Sequence, residues 1–233
     1  MTKKNEIGTL YVVATPIGNA EDITLRAMRV LQEVDFVICE ERKEGIKLLR
    51  SLDISSDLVC LNEHNEIEVV QNILIDIMAG KSCALISDCG TPLFADPGKL
   101  LVTTLNQMNI KIVPIPGSSS LMASLSICPF PLNQFLFVGF LSPKSEQRIR
   151  ELEQAKRSKL PLILMDTPYR MSRLLEDVEA IFGRKQSICL ACDITLPKEL
   201  ILVGSVEEIR KRVSGLKKEF ILILDKPQDF RRP

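Results

Sequence analysis

Three segments of the chain combine glycine and proline with hydroxyl side chains, a composition that could hold a polar small molecule against the main chain. They cover residues 14–19 (ATPIGN), 87–98 (SDCGTPLFADPG) and 114–120 (PIPGSSS). Glycine lets a ligand approach the backbone closely, and proline fixes the path of a loop. The three segments therefore predict a binding site.

The spacing of the glycines excludes the common phosphate-binding and nucleophile motifs. No two glycines stand at i and i+2, so the dinucleotide fingerprint G-x-G-x-x-G is absent. A P-loop is excluded because seven residues separate Gly90 from Gly98, and Leu100 stands where Ser or Thr would contact magnesium. A G-x-S-x-G nucleophile elbow is absent as well.

Each of the three segments begins where a short apolar run ends, and such runs alternate with helical patterns along the chain. In the first half the predicted strands cover residues 10–14, 36–40, 58–61, 83–87 and 111–115. This alternation is typical of βαβ units and a parallel sheet. The runs are continuously apolar, so we expect helices on both faces. Ligands bind beyond the carboxyl ends of the strands in such sheets.

The second half is predicted to form a mixed sheet. Its predicted strands cover residues 135–140, 160–166, 188–193, 200–203 and 220–224. The last two lie close in sequence to their neighbours, which permits antiparallel pairing. Apolar residues at i, i+3, i+4 and i+7 from Val70 and from Met171 predict two amphipathic helices with core-facing stripes. Asn65 and Glu68 predict a capping box at the start of the first helix.

Two prolines in residues 128–133 (CPFPLN) predict a connection between two domains. We place the boundary near residue 130, with an amino-terminal α/β domain over 8–130 and a carboxy-terminal α/β domain over 131–227. Residues 228–233 are expected to be frayed.

Composition narrows the class of protein. Thirty basic and thirty acidic side chains cancel, so RNA binding would need a local patch, for which the basic residues between Lys144 and Lys159 are the candidate. No apolar run approaches the roughly 18 residues of a membrane span. The apolar stretch near the amino terminus is interpreted as a strand and not as a leader, so we expect a cytoplasmic protein with no membrane partner.

The cysteines are interpreted as reduced core thiols. Cys39, Cys60, Cys83 and Cys189 lie in continuously apolar predicted strands. Cys189 and Cys192 have redox spacing, but they lie within a strand and not at a helix start, which favours a structural role. His64 is the only histidine, so no metal site is expected.

With these motifs in order, the sequence resembles the bacterial small-subunit ribosomal RNA (cytidine-2′-O)-methyltransferases, as a divergent member of the tetrapyrrole methylase-like, class III superfamily. The matching segments are LYVVATPIGNAEDITLRAMRVL, LNEHNE, ALISDCGTPLFADPG, VPIPGSSS, FVGFLSPKS and KKEFILIL. The resemblance implies an α/β fold of two domains, with a parallel five-stranded amino-terminal sheet and a mixed carboxy-terminal sheet. It also implies S-adenosylmethionine bound between the domains, a homodimer, and ribosomal RNA or the small ribosomal subunit as partner.

The resemblance also implies a set of cofactor-binding residues. These are Pro16, Ser87, Asp88, Cys89, Gly90, Thr91, Pro92, Ser119 and Ser120. Backbone groups and hydroxyls suit the amine, carboxylate, ribose and ring edges of S-adenosylmethionine. The alternative is that Gly90, Pro92 and Pro97 only shape a turn.

Methyl transfer from a sulfonium is an in-line displacement, so it needs positioning and no covalent nucleophile. A base or cation near a ribose hydroxyl would help it to lose its proton. The candidates, unranked, are Glu40, Glu41, Lys43, His64 and Arg170. Lys144, in the retained P-K-S motif, is the candidate for substrate binding.

Three motifs depart from the family pattern. E-D-T-R becomes EERK at residues 40–43, Y-E-S/A-P-H-R becomes MDTPYR at 165–170, and A-R-E-L-T-K becomes ACDITL at 191–196. Lost basic residues weaken the expectation of an RNA substrate. Two alternatives stay open: methylation of a small tetrapyrrole-like molecule, and a non-catalytic protein that binds S-adenosylmethionine.

Overall fold

The computed structural model describes residues 7–94 and 96–227. The chain divides into two compact units, the first ending at Ser119 and the second beginning at Ser120. The predicted boundary near residue 130 stays a prediction. The tail over residues 228–233, predicted to be frayed, lies outside the described residues.

The first unit is built from alternating strands and helices. Its elements are β1 (Leu10–Val13), α1 (Leu25–Glu33), β2 (Phe36–Cys39), α2 (Arg42–Ser51), β3 (Asp57–Cys60), α3 (Glu66–Met78), β4 (Cys83–Ile86), α4 (Lys99–Gln107) and β5 (Ile112–Ile115). A 3₁₀ turn at Ala20–Asp22 separates β1 from α1. The strands pair in the order β3-β2-β4-β1-β5, and every pairing is parallel.

Apolar side chains cover both faces of this sheet, which is why its strands are continuously apolar. On one face, Leu10 and Leu85 pack with buried residues of α3 and α4. On the other, Val13 and Ile86 pack with residues of α1 and α2. The helices therefore fix the sheet from both sides and leave its carboxyl edge to the loops.

The second unit contains a mixed sheet. Its elements are α5 (Ser120–Ile127), β6 (Leu136–Phe140), α6 (Ser145–Lys156), β7 (Leu162–Asp166), α7 (Met171–Phe182), β8 (Ser187–Cys192), β9 (Leu200–Ser205), α8 (Val206–Arg212) and β10 (Phe220–Leu224). A 3₁₀ turn at Pro168–Arg170 precedes α7. The order is β6-β7-β10-β8-β9, in which β6 and β7 are parallel and the other neighbours are antiparallel.

Helix α5 explains why the second unit begins before the predicted boundary. Its residues Leu121 and Leu125 pack against one face of the second sheet, on Ile163 and Ile221. The opposite face carries the larger core, formed with α6, α7 and α8. The prolines at 129 and 131 lie after α5, and they shape a connection within the second unit.

The predicted α/β class and the two sheets are confirmed. All ten predicted strands exist, with ends within two residues of the prediction. The stripe from Met171 is fully buried, and the stripe from Val70 is buried except for Leu74, which is partly exposed. The capping box at Asn65 is wrong, because its side chain makes no cap hydrogen bond and instead bonds the backbone of Asn62 and Cys60.

Of the cysteines predicted to lie in the core, Cys39, Cys83 and Cys189 are buried and Cys60 is partly buried, whereas Cys89 is exposed. Burial raises the pKa of Cys39, Cys83 and Cys189 to about 12, so these thiols are protonated at neutral pH. Cys189 and Cys192 are three residues apart on β8 and belong to the cores on opposite faces of the sheet. This geometry prevents a disulfide between them.

Leu222 lies in the central strand β10 with no exposed surface. We expect Leu222→Ala to lower the free energy of unfolding by about 2–5 kcal/mol, because it removes buried methyl groups and leaves a cavity. Urea denaturation followed by circular dichroism measures the change. Ile201→Ala, at a position on β9 that is 38% exposed, is the matched control and should have a smaller effect. Equal losses in the two variants would contradict this description of the core.

Candidate functional site

The loop after β4 covers residues 87–98, of which Ala95 is outside the described residues, and is called the β4 loop below. It is held first by Thr15, which directly follows β1 and is 2% exposed. The Thr15 hydroxyl accepts from the Gly90 amide at 3.1 Å and lies 3.1 Å from the Ser87 carbonyl, to which it donates. The Thr15 amide donates to the Gly90 carbonyl at 2.9 Å. These bonds join the ends of two adjacent strands.

The loop after β5 is joined to the same place. Thr91 donates from its hydroxyl to the Ser118 carbonyl at 3.1 Å, and Ser118 donates from its own hydroxyl to the Asp22 carbonyl at 3.2 Å. A Cβ on Gly117 would lie 3.0 Å from the Cβ of Ala14, so glycine permits the close approach of this loop to the end of β1. The three segments selected from the sequence therefore meet at one edge of the first sheet.

The backbone conformation at position 90 requires glycine. Its φ of +85° lies in the left-handed region that side chains rarely adopt. A Cβ there would lie 3.0 Å from Cγ2 of Ile17 and 3.6 Å from the Ser118 carbonyl oxygen. Gly90 thus shapes the turn and lets the loops after β1, β4 and β5 approach one another. Of its neighbours, Ser87 is buried and bonds Cys89 through its hydroxyl, whereas Asp88 is more exposed than Ser87.

Carboxylates surround this edge. Asp88 accepts from the Glu41 amide at 3.4 Å, which joins the ends of β2 and β4. Burial raises the pKa of Glu40 above its ordinary value of 4.5, and the charges of Asp88 and Asp96 raise it further. Partial burial also raises the pKa of Asp88 and of Asp96. The edge is strongly acidic, so it favours a cationic ligand over an anionic one.

The LNEHNE motif has mainly structural contacts. Asn65 accepts from the Asn62 amide at 2.8 Å, and Asn62 accepts from the His64 amide at 3.0 Å. Glu66 accepts from the amides of Gly98 and Leu100 at 3.0 and 3.2 Å, so it caps α4 at the end of the β4 loop. His64 itself is exposed.

The other predicted residues of the first unit lie around the same edge. Pro16 follows Thr15 and is partly buried, and Pro92 is buried within the β4 loop. Glu41 and Lys43 are exposed at the start of α2. Ser119 follows Ser118. Their roles, like those of the other site residues named from the sequence, stay predictions.

In the second unit, the guanidinium of Arg170 forms hydrogen bonds and an ion pair with other residues of the chain. Its Nη2 donates to the carbonyls of Leu141 and Ser142 at 2.6 and 3.1 Å. Its Nε lies 3.1 Å from the buried carboxylate of Asp166. Burial raises the pKa of Asp166, although the Thr167 amide and Arg170 oppose the shift. The guanidinium thus holds the loop after β6.

Arg148 is not part of an exposed basic patch. It is 4% exposed, its Nε lies 2.6 Å from Asp177, and its Nη1 donates to the carbonyls of Ser142 and Pro143. Lys144 is exposed, and its amide donates to the Ser142 hydroxyl at 3.2 Å. Within the predicted basic stretch, the side chain of Lys144 is therefore exposed to solvent. Arg148 instead holds the backbone of residues 142 and 143, which precede Lys144.

Sequence reasoning missed three residues that organise the site: Thr15, Glu66 and Asp166. Thr15 lies in the segment ATPIGN that was selected from the sequence. Its position as a polar residue directly after a buried strand could have identified it. Glu66 accepts from amides more than thirty residues later, for which spacing gives no signal. Asp166 lies four residues before Arg170, within the segment MDTPYR, so the i, i+4 spacing of the two charges was the available signal.

Over residues 7–94 and 96–227, no group of three or more His, Cys, Asp or Glu side chains is arranged to hold a metal ion. In the same residues, no helix has the length and apolar character needed to cross a membrane.

Comparison with known proteins identifies the relatives of the chain. The family model described as Tetrapyrrole (Corrin/Porphyrin) Methylases matches residues 9–210. Two proteins called ribosomal RNA small subunit methyltransferase I are each 38% identical over 226 residues. The one from Halalkalibacterium halodurans aligns over 96% of this chain and 78% of its own, and the one from Leptospira biflexa over 97% and 94%.

A solved structure shows the same fold. The uroporphyrin-III-C-methyltransferase of Thermus thermophilus superposes with a TM-score of 0.63 at 21% identity, and the match covers 94% of each chain. The predicted class III architecture is thereby confirmed.

Thr15→Val tests the junction between β1 and the β4 loop. Valine keeps the shape of the side chain but leaves the Gly90 amide without its hydroxyl acceptor, which should lower the free energy of unfolding by about 1–3 kcal/mol. Hydrogen exchange of the Gly90 amide should accelerate. The control is Thr104→Val, which removes a hydroxyl bonded within α4 at 2.8 Å. Unchanged Gly90 exchange in Thr15→Val would refute the role of this junction.

Glu40→Gln tests the acidic edge through pH. Because the pKa of Glu40 is raised in the folded protein, its contribution to stability is present below about 4.5 and is lost as the pH rises through the folded pKa. The uncharged variant should therefore be more stable than the parent at pH 7, and the difference should shrink below pH 4.5. Urea denaturation across this range is the measurement. Glu153→Gln, at an exposed position on α6, is the control. A difference that does not vary with pH would be inconsistent with this account.

Proposed function

Because the chain belongs to the tetrapyrrole (corrin/porphyrin) methylase family and is an S-adenosylmethionine-dependent methyltransferase, we propose that it methylates a ribose 2′-hydroxyl of cytidine in small-subunit ribosomal RNA. The proposal of an RNA substrate rests on the similarity of nearly the whole chain to two ribosomal RNA small subunit methyltransferases. The position on the ribose rests on the resemblance of the motifs.

We place the methyl donor at the carboxyl edge of the first sheet. The β4 loop and the loops after β1 and β5 converge there, and the proposed contacts come from Pro16, from residues 87–92, and from Ser119 and Ser120. The donor carries a sulfonium and an ammonium, and both are cations. The carboxylates of Glu40, Asp88 and Asp96 supply the opposite charge at this edge. Charge complementarity thus supports the placement.

The chain contributes positioning and a proton acceptor. The hydrogen bonds around Thr15 hold the loops rigid, which favours an in-line arrangement of donor and acceptor. Glu40 is proposed as the base, because burial and the neighbouring Asp88 raise its pKa and a carboxylate with a raised pKa accepts a proton more readily. Glu41, Lys43 and His64 remain candidates as well. Arg170 is proposed instead to position the loop that carries Lys144, since its guanidinium is bonded to that loop.

The proposal extends to a cytoplasmic homodimer, as the sequence resemblance implies. Lys144 is proposed to contact an RNA phosphate, because its ammonium stands at an exposed loop after β6 and serves as a point charge.

A methyl-transfer assay tests the function. Purified protein is incubated at low salt with methyl-labelled S-adenosylmethionine and small ribosomal subunits from cells that lack this protein. We expect label in the small-subunit RNA and, after digestion to nucleosides, in 2′-O-methylcytidine. Large ribosomal subunits are the control and should remain unlabelled.

Other outcomes separate the alternatives. Label on a base would retain an RNA methyltransferase and refute the ribose. Label in a tetrapyrrole substrate but not in RNA would favour the small-molecule reading. Cofactor binding without transfer to either substrate would favour a non-catalytic protein.

A further inference from the structure

Tyr169 is the most exposed aromatic side chain in the described part of the chain, at 78%, and it lies in the 3₁₀ turn after β7. We propose that its ring stacks on an unpaired base of the RNA substrate, while Lys144 holds a nearby phosphate. This inference rests on the proposed function and names the residues by which the second unit recognises RNA. Single-stranded RNA is bound by this combination of aromatic faces and basic side chains.

The environment of the ring fits a stacking surface. The ammonium of Lys217 lies 5.0 Å from the centroid of Tyr169, within the range of a cation–π contact. The ammonium covers one face of the ring, so a base would stack on the other face. The exposure of the ring means that little of its surface is engaged by the protein itself.

The turn that carries Tyr169 is fixed on both sides. The Arg170 amide donates to the Thr167 carbonyl at 2.9 Å, and the Thr167 amide donates to Asp166 at 2.7 Å. Pro168 restricts the backbone at the start of the turn. An aromatic side chain on a rigid turn loses little conformational entropy when it binds, so its exposure suits recognition.

The same guanidinium joins this turn to the loop that carries Lys144. Arg170 donates to the carbonyls of Leu141 and Ser142, and Arg148 donates to those of Ser142 and Pro143. Glu151 accepts from the Ser142 amide at 2.8 Å. Three successive carbonyls are thus held by two arginines, and Tyr169 and Lys144 are kept in fixed relation.

Charge at this edge of the second sheet differs from that of the first. Antiparallel pairing of Phe220 with Asp166 brings the residues before β10 to the end of β7. Lys218 there is bound by Asp193 at 2.5 Å, whereas Lys217 faces Tyr169. Phosphates would be repelled by the carboxylates around Glu40 in the first unit. Lys217 and Lys144 are exposed cations of the second unit, so they suit contact with an RNA backbone.

Intrinsic fluorescence gives a direct test, because the chain has no tryptophan and two tyrosines, of which Tyr11 lies in β1. The probe is a single-stranded oligocytidylate of about eight nucleotides, a length within the usual range of single-strand sites. We expect the probe to quench tyrosine emission as it binds. A duplex RNA of similar length should quench less, since its bases are already stacked.

Variants assign the effect to Tyr169. Affinity in every variant is read from the fluorescence anisotropy of an end-labelled oligocytidylate. Tyr169→Ala should weaken binding about tenfold, whereas Tyr169→Phe should retain most of the affinity and lose the tyrosine quenching. Lys144→Ala should weaken binding and reduce the slope of log affinity against log salt by about 0.7, while Tyr169→Ala leaves the slope unchanged. Ile75→Ala, at an exposed apolar position on α3, is the control and should alter neither quantity.

Absence of quenching in the parent protein, or unchanged affinity in Tyr169→Ala, would overturn the stacking role. Methyl transfer to small-subunit RNA is measured separately. If the RNA is labelled but Tyr169→Ala binds the oligocytidylate as tightly as the parent protein, the stacking role is refuted and the proposed function stands. A protein that neither methylates nor binds RNA would refute the proposed function with it.

Discussion

The β4 loop is the part of the first unit on which the other loops converge. Thr15 bonds it from β1, Glu41 from the end of β2, and Ser118 from the end of β5, while Glu66 bonds its last residue from the start of α3. Parallel strands place all these ends at one edge, but strand pairing alone does not fix loops. The side-chain and backbone hydrogen bonds convert an edge of a sheet into a shaped site.

The sequence predicted the parts of the fold that depend on local pattern. Continuously apolar runs identified β2 and β4, because these strands are buried on both faces. The site segments were found for a similar reason, since glycine at position 90 is needed by a local backbone angle. The capping box predicted at Asn65 was wrong because the side chain of Asn65 donates to the Cys60 carbonyl, five residues earlier, and does not cap the helix.

Residues that act across long stretches of chain could not be predicted. The hydroxyl of Thr15 is meaningful only when Gly90 lies beside it, 75 residues later. Arg148 looked like a surface charge because it stands among lysines and glutamates, yet Asp177 neutralises it in a buried position. Arg170, named from the sequence as a candidate site residue, donates to main-chain carbonyls at positions 141 and 142, contacts that its place in the sequence does not show. In each case the partner, and not the residue type, determines the role.

The capping of α4 by Glu66 has a consequence for ligand selection. A helix that follows a glycine-rich loop ordinarily offers its first amides to phosphate. Here the amides of Gly98 and Leu100 already bind a carboxylate of the protein, whose negative charge repels a second anion. The end of the glycine-rich loop is therefore closed to phosphate by a carboxylate that the protein itself supplies.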